Sequence, residues 1–466
     1  MESDVPIWRR LFCGFIPGFF LLAAASTQPA LAATRTAQTV RDEPNRMQEW
    51  PLLGELKAYE EVLENGLTVV LIPNMRAPTV SVYHWVKGGS LHETQGITGI
   101  AHLFEHMMFR PVRPGEPNFH DKVQKLGGEE NASTRFESTV YTSTVPPRFL
   151  PDLLKVESER FKNLRVTDDL LNVERKAVWS EYSTKMDSNP VFDLWYQVYA
   201  LGFPKHPLGW HIIGERADLD KINARDCNDF FARIYRPNNV GLFISGSFDR
   251  KKIMPLVRRF YGDWRKGPVA KLPPEFKHEG GFVKGEGKLE SRIQQMLVGF
   301  RTPLLTVDNA EGFSLLNHVL FGSQFSLARK RLVHEKKFVS DVSDFNFDYD
   351  NGMLKAFLTL LPSATSEGVV DELLALRVDV AALKEEEFAA YKREYRISLA
   401  EAARRNEVLN DLAAQHWGRF GSLSTLARTF KSESTLTKAD LQALIDRYFI
   451  KDNAVVITSK QAAKQN

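Results

Sequence analysis

A chain of 466 residues exceeds what one hydrophobic core can organise, so two or more domains are expected. Its 43% hydrophobic and 26% charged residues are ordinary for a soluble globular protein. A formal net charge of only +3 gives no reason to expect nucleic acid or an anionic membrane surface as partner.

The N-terminus reads as a secretory signal peptide over residues 1–32. Arg9 and Arg10 form the basic region, Leu11 to Ala25 the apolar region, and Ala30-Leu31-Ala32 the cleavage site, leaving Ala33 first in the mature chain. The apolar run is short for a membrane span, so no stable membrane insertion is expected after cleavage. The general secretory route is preferred, although the arginine pair hints at twin-arginine export. Cleavage removes Cys13 and leaves Cys227 as the sole cysteine, which excludes an intrachain disulfide and a cysteine zinc site. Cys227, within Asp226-Cys227-Asn228-Asp229-Phe230-Phe231, reads as a buried small hydrophobe.

Residues 33–57 lack a clear period and are taken as an N-terminal leader. Tyr59 to Val62, the turn Asn65-Gly66 and Leu67 to Ile72 predict a β-hairpin. Thr79 to Val86 predicts a strand. Gly99 to Phe109 follows without internal Gly or Pro and predicts a helix. Asn131 to Val145, rich in Thr, Ser and β-branched residues, predicts a strand or hairpin; Phe149 to about Asp187 is helical in pattern. Ala224 to Tyr235 predicts a helix and Val240 to Ser245 a strand. Asp226–Asn239 aligns without a gap onto Asp440–Asn453, an offset of 214, and both segments run helix, Asn, apolar strand. The offset implies two units of about 200 residues with one α+β plan. The boundary is expected in the Gly-, Pro- and Lys-rich stretch Gly267–Gly287, giving one half at 58–275 and a second at 285–466.

The chemistry concentrates in His102-Leu103-Phe104-Glu105-His106, an H-x-x-E-H pattern inverse to the commoner H-E-x-x-H. On a helix, residues four apart share a face, so His102 and His106 can grip one ion, with Glu105 near enough to reach a water beside it. Such residues also suit a solvated polar face or a set of satisfied core histidines. Ile100, Ala101, Leu103, Phe104, Met107, Met108 and Phe109, however, make this helix apolar nearly all round, and buried polar side chains need partners. Zinc needs a third protein ligand and an open position. The best source is the amphipathic segment Asn172–Tyr182, where Glu174 and Glu181 lie two turns apart on one face. Either can bind the ion while the other supports a histidine from behind.

With these motifs the chain resembles the pitrilysin superfamily of inverted zinc metallopeptidases, which includes insulin-degrading enzyme and the mitochondrial processing peptidase. Glu181 falls 75 residues after His106, at the family's metal-ligand position, and Glu174 takes the earlier acidic position. Lys87-Gly88-Gly89-Ser90, Gly127-Gly128-Glu129-Glu130-Asn131-Ala132-Ser133-Thr134, Tyr141–Pro146, His206-Pro207-Leu208-Gly209 and Tyr235-Arg236-Pro237-Asn238-Asn239 fit family motifs as well. The likeness runs from about residue 58 to 460. It implies two homologous α/β-sandwich halves of α+β class, each a mixed, mostly antiparallel sheet with helices packed on it, facing each other around a chamber. It implies one Zn2+ per chain held by His102, His106 and Glu181, Glu105 as general base, and Glu174 in support. It implies that a peptide or unfolded segment adds as a strand along Asn131 and Ala132.

The second half has no H-x-x-E-H and is expected to be non-catalytic. In the family it usually carries an Arg and a Tyr that touch substrate near the scissile bond. In Phe321–Ser340 that pattern is not kept: Val333 or His334 falls near the Arg position and Ser340 near the Tyr position. Arg329, Arg331 and Tyr349 are nearby candidates, and the basic run equally suits a solvated helix face. A homodimer, or a heterodimer with a related chain supplying the Arg/Tyr pair, is therefore expected. The expected activity is that of an exported metalloendopeptidase, in the periplasm of a Gram-negative bacterium; a secreted or signal-anchored form is the alternative location. A non-catalytic structural or partner subunit is the alternative function.

Overall fold

The computed structural model describes residues 45–269, 271–274, 276, 280–344, 352–431 and 434–462. The signal peptide and Tyr349 lie outside these residues. The first sheet contains β1 (Gln48–Pro51), β2 (Lys57–Val62), β3 (Thr68–Pro73), β4 (Val80–Val86), β5 (Glu129–Thr134), β6 (Thr139–Val145) and β7 (Val240–Gly246), in the order β1-β2-β3-β7-β4-β6-β5. The second contains β8 (Val283–Ser291), β9 (Gln295–Arg301), β10 (Val339–Asp344), β11 (Met353–Leu360) and β12 (Ala454–Gln461), in the order β10-β11-β9-β12-β8. Read from the other edge, β8-β12-β9-β11-β10 repeats β3-β7-β4-β6-β5. The repeat includes one parallel pair in each sheet, β3 with β7 and β8 with β12, among antiparallel neighbours.

The longer helices are α1 (Ile100–Met107), α2 (Phe119–Lys125), α3 (Leu150–Asn163), α4 (Asp168–Lys185), α5 (Pro190–Gly202), α6 (Ala224–Ile234) and α7 (Arg250–Tyr261). They continue with α8 (Ala310–Asn317), α9 (Ser366–Ala382), α10 (Glu385–Ala402), α11 (Asn406–Phe420), α12 (Ser424–Lys431) and α13 (Lys438–Tyr448). The repeat seen in the sequence is physical. Helices α6 and α13 each have 11 residues, and each begins with a capping box, Asn223 with Asp226 and Thr437 with Asp440. Each then feeds the central parallel strand of its sheet.

Both faces of the first sheet are buried, and strand alternation divides them. Val69, Leu71, Val80, Val82, Leu242 and Ile244 meet α1, α3, α4, α6 and α7. Val70, Ile72, Tyr83, Trp85 and Phe243 point the other way. That second face is covered by α11, a helix from the second half. Trp417 packs edge-on to Phe243 with ring centroids 5.8 Å apart, and the Asn410 side chain donates to the Ser81 carbonyl at 3.0 Å. The second sheet receives the reciprocal cover. α5 of the first half lays Leu194, Val198 and Tyr199 on Leu297, Val455 and Ile457. The halves therefore exchange one helix each.

Three readings change. The leader is not all leader, because Gln48–Pro51 pairs antiparallel with Lys57–Glu60 as the edge strand β1. The Gly-rich stretch to Gly287 is not all linker, because β8 starts at Val283. A Cβ on Gly285 would stand 2.6 Å from Leu201 Cδ1, and one on Gly287 2.8 Å from Asp193 Oδ2. These glycines let α5 lie close on the strand, and Asp193 accepts the Leu289 N–H at 3.0 Å. The helical stretch from Phe149 also breaks, at Leu164–Thr167, where Thr167 caps α4.

Candidate active site

The site is built on α1, and the chain fixes the start of α1 tightly. Gly99 precedes it with φ +85°, a left-handed conformation, and a Cβ there would meet the Ile213 carbonyl oxygen at 2.5 Å. The buried Glu93 carboxylate accepts the N–H groups of Gly99 and Ala101, each at 2.9 Å, where the helix leaves its first amides unpaired. Burial pushes this carboxyl up to about 8, against the pull of those two amides. Asp218 accepts the Thr98 hydroxyl at 2.8 Å and secures the same loop. At the far end, the fully buried Arg160 donates to the Met108 carbonyl at 3.4 Å.

From this helix His102 and His106 project toward α4. Their Nε2 atoms lie 3.5 Å and 3.3 Å from one and the same oxygen, Glu181 Oε2. One ligand atom from each residue lies within 4.8 Å of the others. A tetrahedral zinc with bonds of about 2.0–2.1 Å separates its donor atoms by about 3.3 Å, so the donor set fits that ion in chemistry, and the two histidine–Glu181 separations fit it in spacing. Burial lowers His102 to about 3, leaving a neutral imidazole at physiological pH. Burial pushes Glu181 upward, but its hydrogen bonds with His106 and Lys185, together with the Lys185 charge, outweigh it and hold the carboxyl below its usual range.

Glu174, buried two turns before Glu181 on α4, lies with Oε2 3.2 Å from His106 Nδ1. With a proton on Nδ1 donated to Glu174, the Nε2 lone pair would be free for an ion beside Glu181. The other Glu174 oxygen is ion-paired with Arg110. Glu105 is buried, and its Oε2 accepts the Thr134 hydroxyl at 2.5 Å. Burial raises the Glu105 carboxyl to about 7, with His106 and Thr134 opposing.

The structure thus brings together His102, Glu105, His106, Glu174 and Glu181. Asn131 and Ala132 sit on β5, which is packed beside α1. Among the described residues β5 pairs only with β6, so its outer edge is open. Asn131 is exposed, and its side chain accepts the Ala132 N–H at 2.9 Å. Sequence reasoning missed Arg110, Glu93 and Lys185, and named Thr134 only as part of a family motif, with no role. Arg110 and Lys185 each stand four residues beyond a ligand, His106 and Glu181, and that helical spacing was their available signal.

In the second half, the two nearby arginines are occupied. Arg331 makes a bidentate pair with Asp379, at 2.6 Å and 2.7 Å, and meets Glu372 at 2.7 Å. Arg329 binds Asp341 at 2.8 Å and the Val342 carbonyl at 2.6 Å. Cys227 is buried, and burial pushes its thiol up to about 12, as suits a packing residue.

Residues 68–216 match the family model described as Insulinase (Peptidase family M16), and residues 221–395 match that described as Peptidase M16 inactive domain. The chain belongs to peptidase family M16. The second M16 match begins inside the first sheet's half, before α6, and runs into α10. Among curated relatives, "Zinc protease PqqE" of Helicobacter pylori is 25% identical over 329 residues, covering 69% of this chain and 74% of that protein. "Uncharacterized zinc protease YmxG" of Bacillus subtilis is 26% identical over 299 residues, covering 63% and 71%. The M16 fold recurs in the crystal structure of a protease from Helicobacter pylori, with a TM-score of 0.78 at 20% identity over 90% of this chain and all of that one. It recurs again in the periplasmic protease PqqL from Escherichia coli, with a TM-score of 0.70 at 17% identity over 90% of this chain and 48% of that one.

Proposed function

We propose that this chain is a zinc-dependent endopeptidase that hydrolyses peptides or unfolded protein segments. The observation that carries the reading is the convergence of His102 Nε2 and His106 Nε2 on one Glu181 oxygen, with Glu105 on the same helix. Zinc at this position would supply Lewis-acid polarisation and lower the pKa of water toward about 7. The residues of the chain do the rest. Glu174 and Arg110 fix the His106 ring. Glu105 takes the proton of the attacking water and returns it to the leaving amine. The open edge of β5 orders the substrate main chain beside α1, through amide and carbonyl groups that read shape more than sequence. The names of the curated relatives support a zinc protease, and the presence of both histidines and both carboxylates favours it over a non-catalytic subunit.

We further propose a place and an assembly. The N-terminal pattern favours export to the periplasm, and among the described residues no helix is long and apolar enough to cross a membrane. The engagement of Arg329 and Arg331 in ion pairs favours a related chain as the source of the Arg/Tyr contact, which would stabilise the developing oxyanion. Full turnover by the purified chain as a monomer or homodimer would overturn that assembly.

Cleavage of an unfolded polypeptide by the chain, alone and with such a partner, tests the central reading. The expected result is cleavage that a zinc chelator abolishes. Glu105→Gln is expected to keep the metal and to lower turnover by roughly 10²–10⁴. Wild-type rates from that variant, or chelator-resistant cleavage, would contradict it.

A further inference from the structure

Thr134 is the last residue of β5, the strand with the open edge, and its hydroxyl donates to Glu105 Oε2 at 2.5 Å. That length is typical of a hydroxyl bound to a carboxylate, the stronger class of hydrogen bond. We propose that Thr134 is a positioning residue for Glu105, tying the proton carrier to the strand on which the substrate is ordered; the inference rests on the peptidase reading above.

A glutamate on a helix has three free torsions, so a buried carboxylate of this kind points only where its partners hold it. Thr134 holds one oxygen and leaves the other for water. The hydroxyl itself is well placed to act as a fixed post. Threonine is stiff at χ1. Thr134 lies opposite Thr139 in β6, and the chain beyond it is pinned on three sides. Arg135 N–H donates to the Ser138 carbonyl at 2.8 Å, Ser90 N–H donates to the Arg135 carbonyl at 3.1 Å, and the Arg135 guanidinium reaches Asp411 at 3.4 Å. Asp411 belongs to α11, the helix contributed by the second half. Ala132 lies two residues before Thr134, on the same face of the strand. A peptide paired with β5 is therefore in register with the strand that orients Glu105, and the second half steadies that strand.

Thr134→Val removes the hydroxyl at nearly constant volume, and Thr134→Ser keeps it. Zinc content, melting temperature, KM and kcat are measured for both, and for Thr134→Val in the Glu105→Gln background. The expected result for Thr134→Val is a fall in kcat of about 10–100-fold, with KM within about twofold. Zinc content and melting temperature stay at the wild-type values, Thr134→Ser recovers most of kcat, and Thr134→Val adds no further loss when Glu105 is already Gln. A Thr134→Val enzyme with wild-type kcat would overturn the proposal. So would a kcat loss accompanied by loss of zinc or stability, or one that persists undiminished in the Glu105→Gln background. Absence of zinc-dependent cleavage by the wild type is a separate result, seen before any Thr134 variant is compared, and it overturns the peptidase reading together with this inference.

Discussion

His106 stands at the head of a chain of contacts that ends at Arg110, one helical turn further along. Its Nδ1 meets Glu174, and Glu174 meets Arg110, so a charge on the protein surface side holds a carboxylate that in turn orients the histidine ring. Arg110→Met is expected to weaken zinc binding by about 10–100-fold while leaving the fold intact. Competition with a chromogenic chelator measures this, and an unchanged affinity would show Arg110 to be dispensable. His102, Glu105 and His106 were legible in the sequence because one helical motif contains them, and Glu181 because the family spacing reaches it. Arg110 was not, and Thr134 was legible only as a motif position and not as a partner of Glu105, since each contact exists only once α4 or β5 lies against α1.

The start of α1 shows why an element can be predicted and its anchoring missed. The apolar run and the absence of Gly and Pro predict the helix. Its N-terminal support comes from Glu93, six residues before Gly99 and outside the usual capping position. The backbones of Gly99 and Gly214 also cross within van der Waals contact, and a Cβ on Gly214 would meet Gly99 Cα at 2.5 Å. Gly99→Ala is expected to cost more than about 1 kcal/mol, from positive φ and this close approach. Urea unfolding checks the loss of stability, and zinc affinity is expected to fall with it because His102 moves with the helix start. The Gly267–Gly287 boundary stretch overlaps β8, which starts at Val283, for a related reason. A glycine in a chain stretch looks like freedom, and here it makes room for α5.

The molecule as a whole is closed by helix exchange, with α11 on the first sheet and α5 on the second. The repeat was readable because α6–β7 and α13–β12 keep both length and caps. The exchange was not readable, since nothing in an amphipathic helix names the sheet it covers. A chain cut between Tyr261 and Val283 is expected to give two pieces that are insoluble apart and recovered together on co-expression. A folded, monomeric first half would contradict this. Acid should act on the whole fold through buried histidines. Burial lowers His84 to about 4 and His416 to about 3, with Arg419 and Arg428 pushing His416 the same way. In the unfolded chain each titrates near 6.5. The unfolded state therefore binds more protons below about 6.5, and the stability these groups contribute is full above that pH and declines as pH falls toward 4. Glu93 and Glu311, raised by burial to about 8 and about 7, act in the opposite sense over an overlapping range. The clean comparison is His416→Gln against wild type: the variant is expected to lose less stability between pH 7 and pH 5, as read from urea midpoints.

Metal analysis of the purified chain, set beside its Glu105→Gln and Glu181→Gln variants, tests the central claim most directly. One zinc per chain is predicted for the wild type and for Glu105→Gln, and sharply reduced zinc for Glu181→Gln. A wild type that binds no zinc, or a Glu181→Gln chain that binds it as tightly as the wild type, would contradict the site as described.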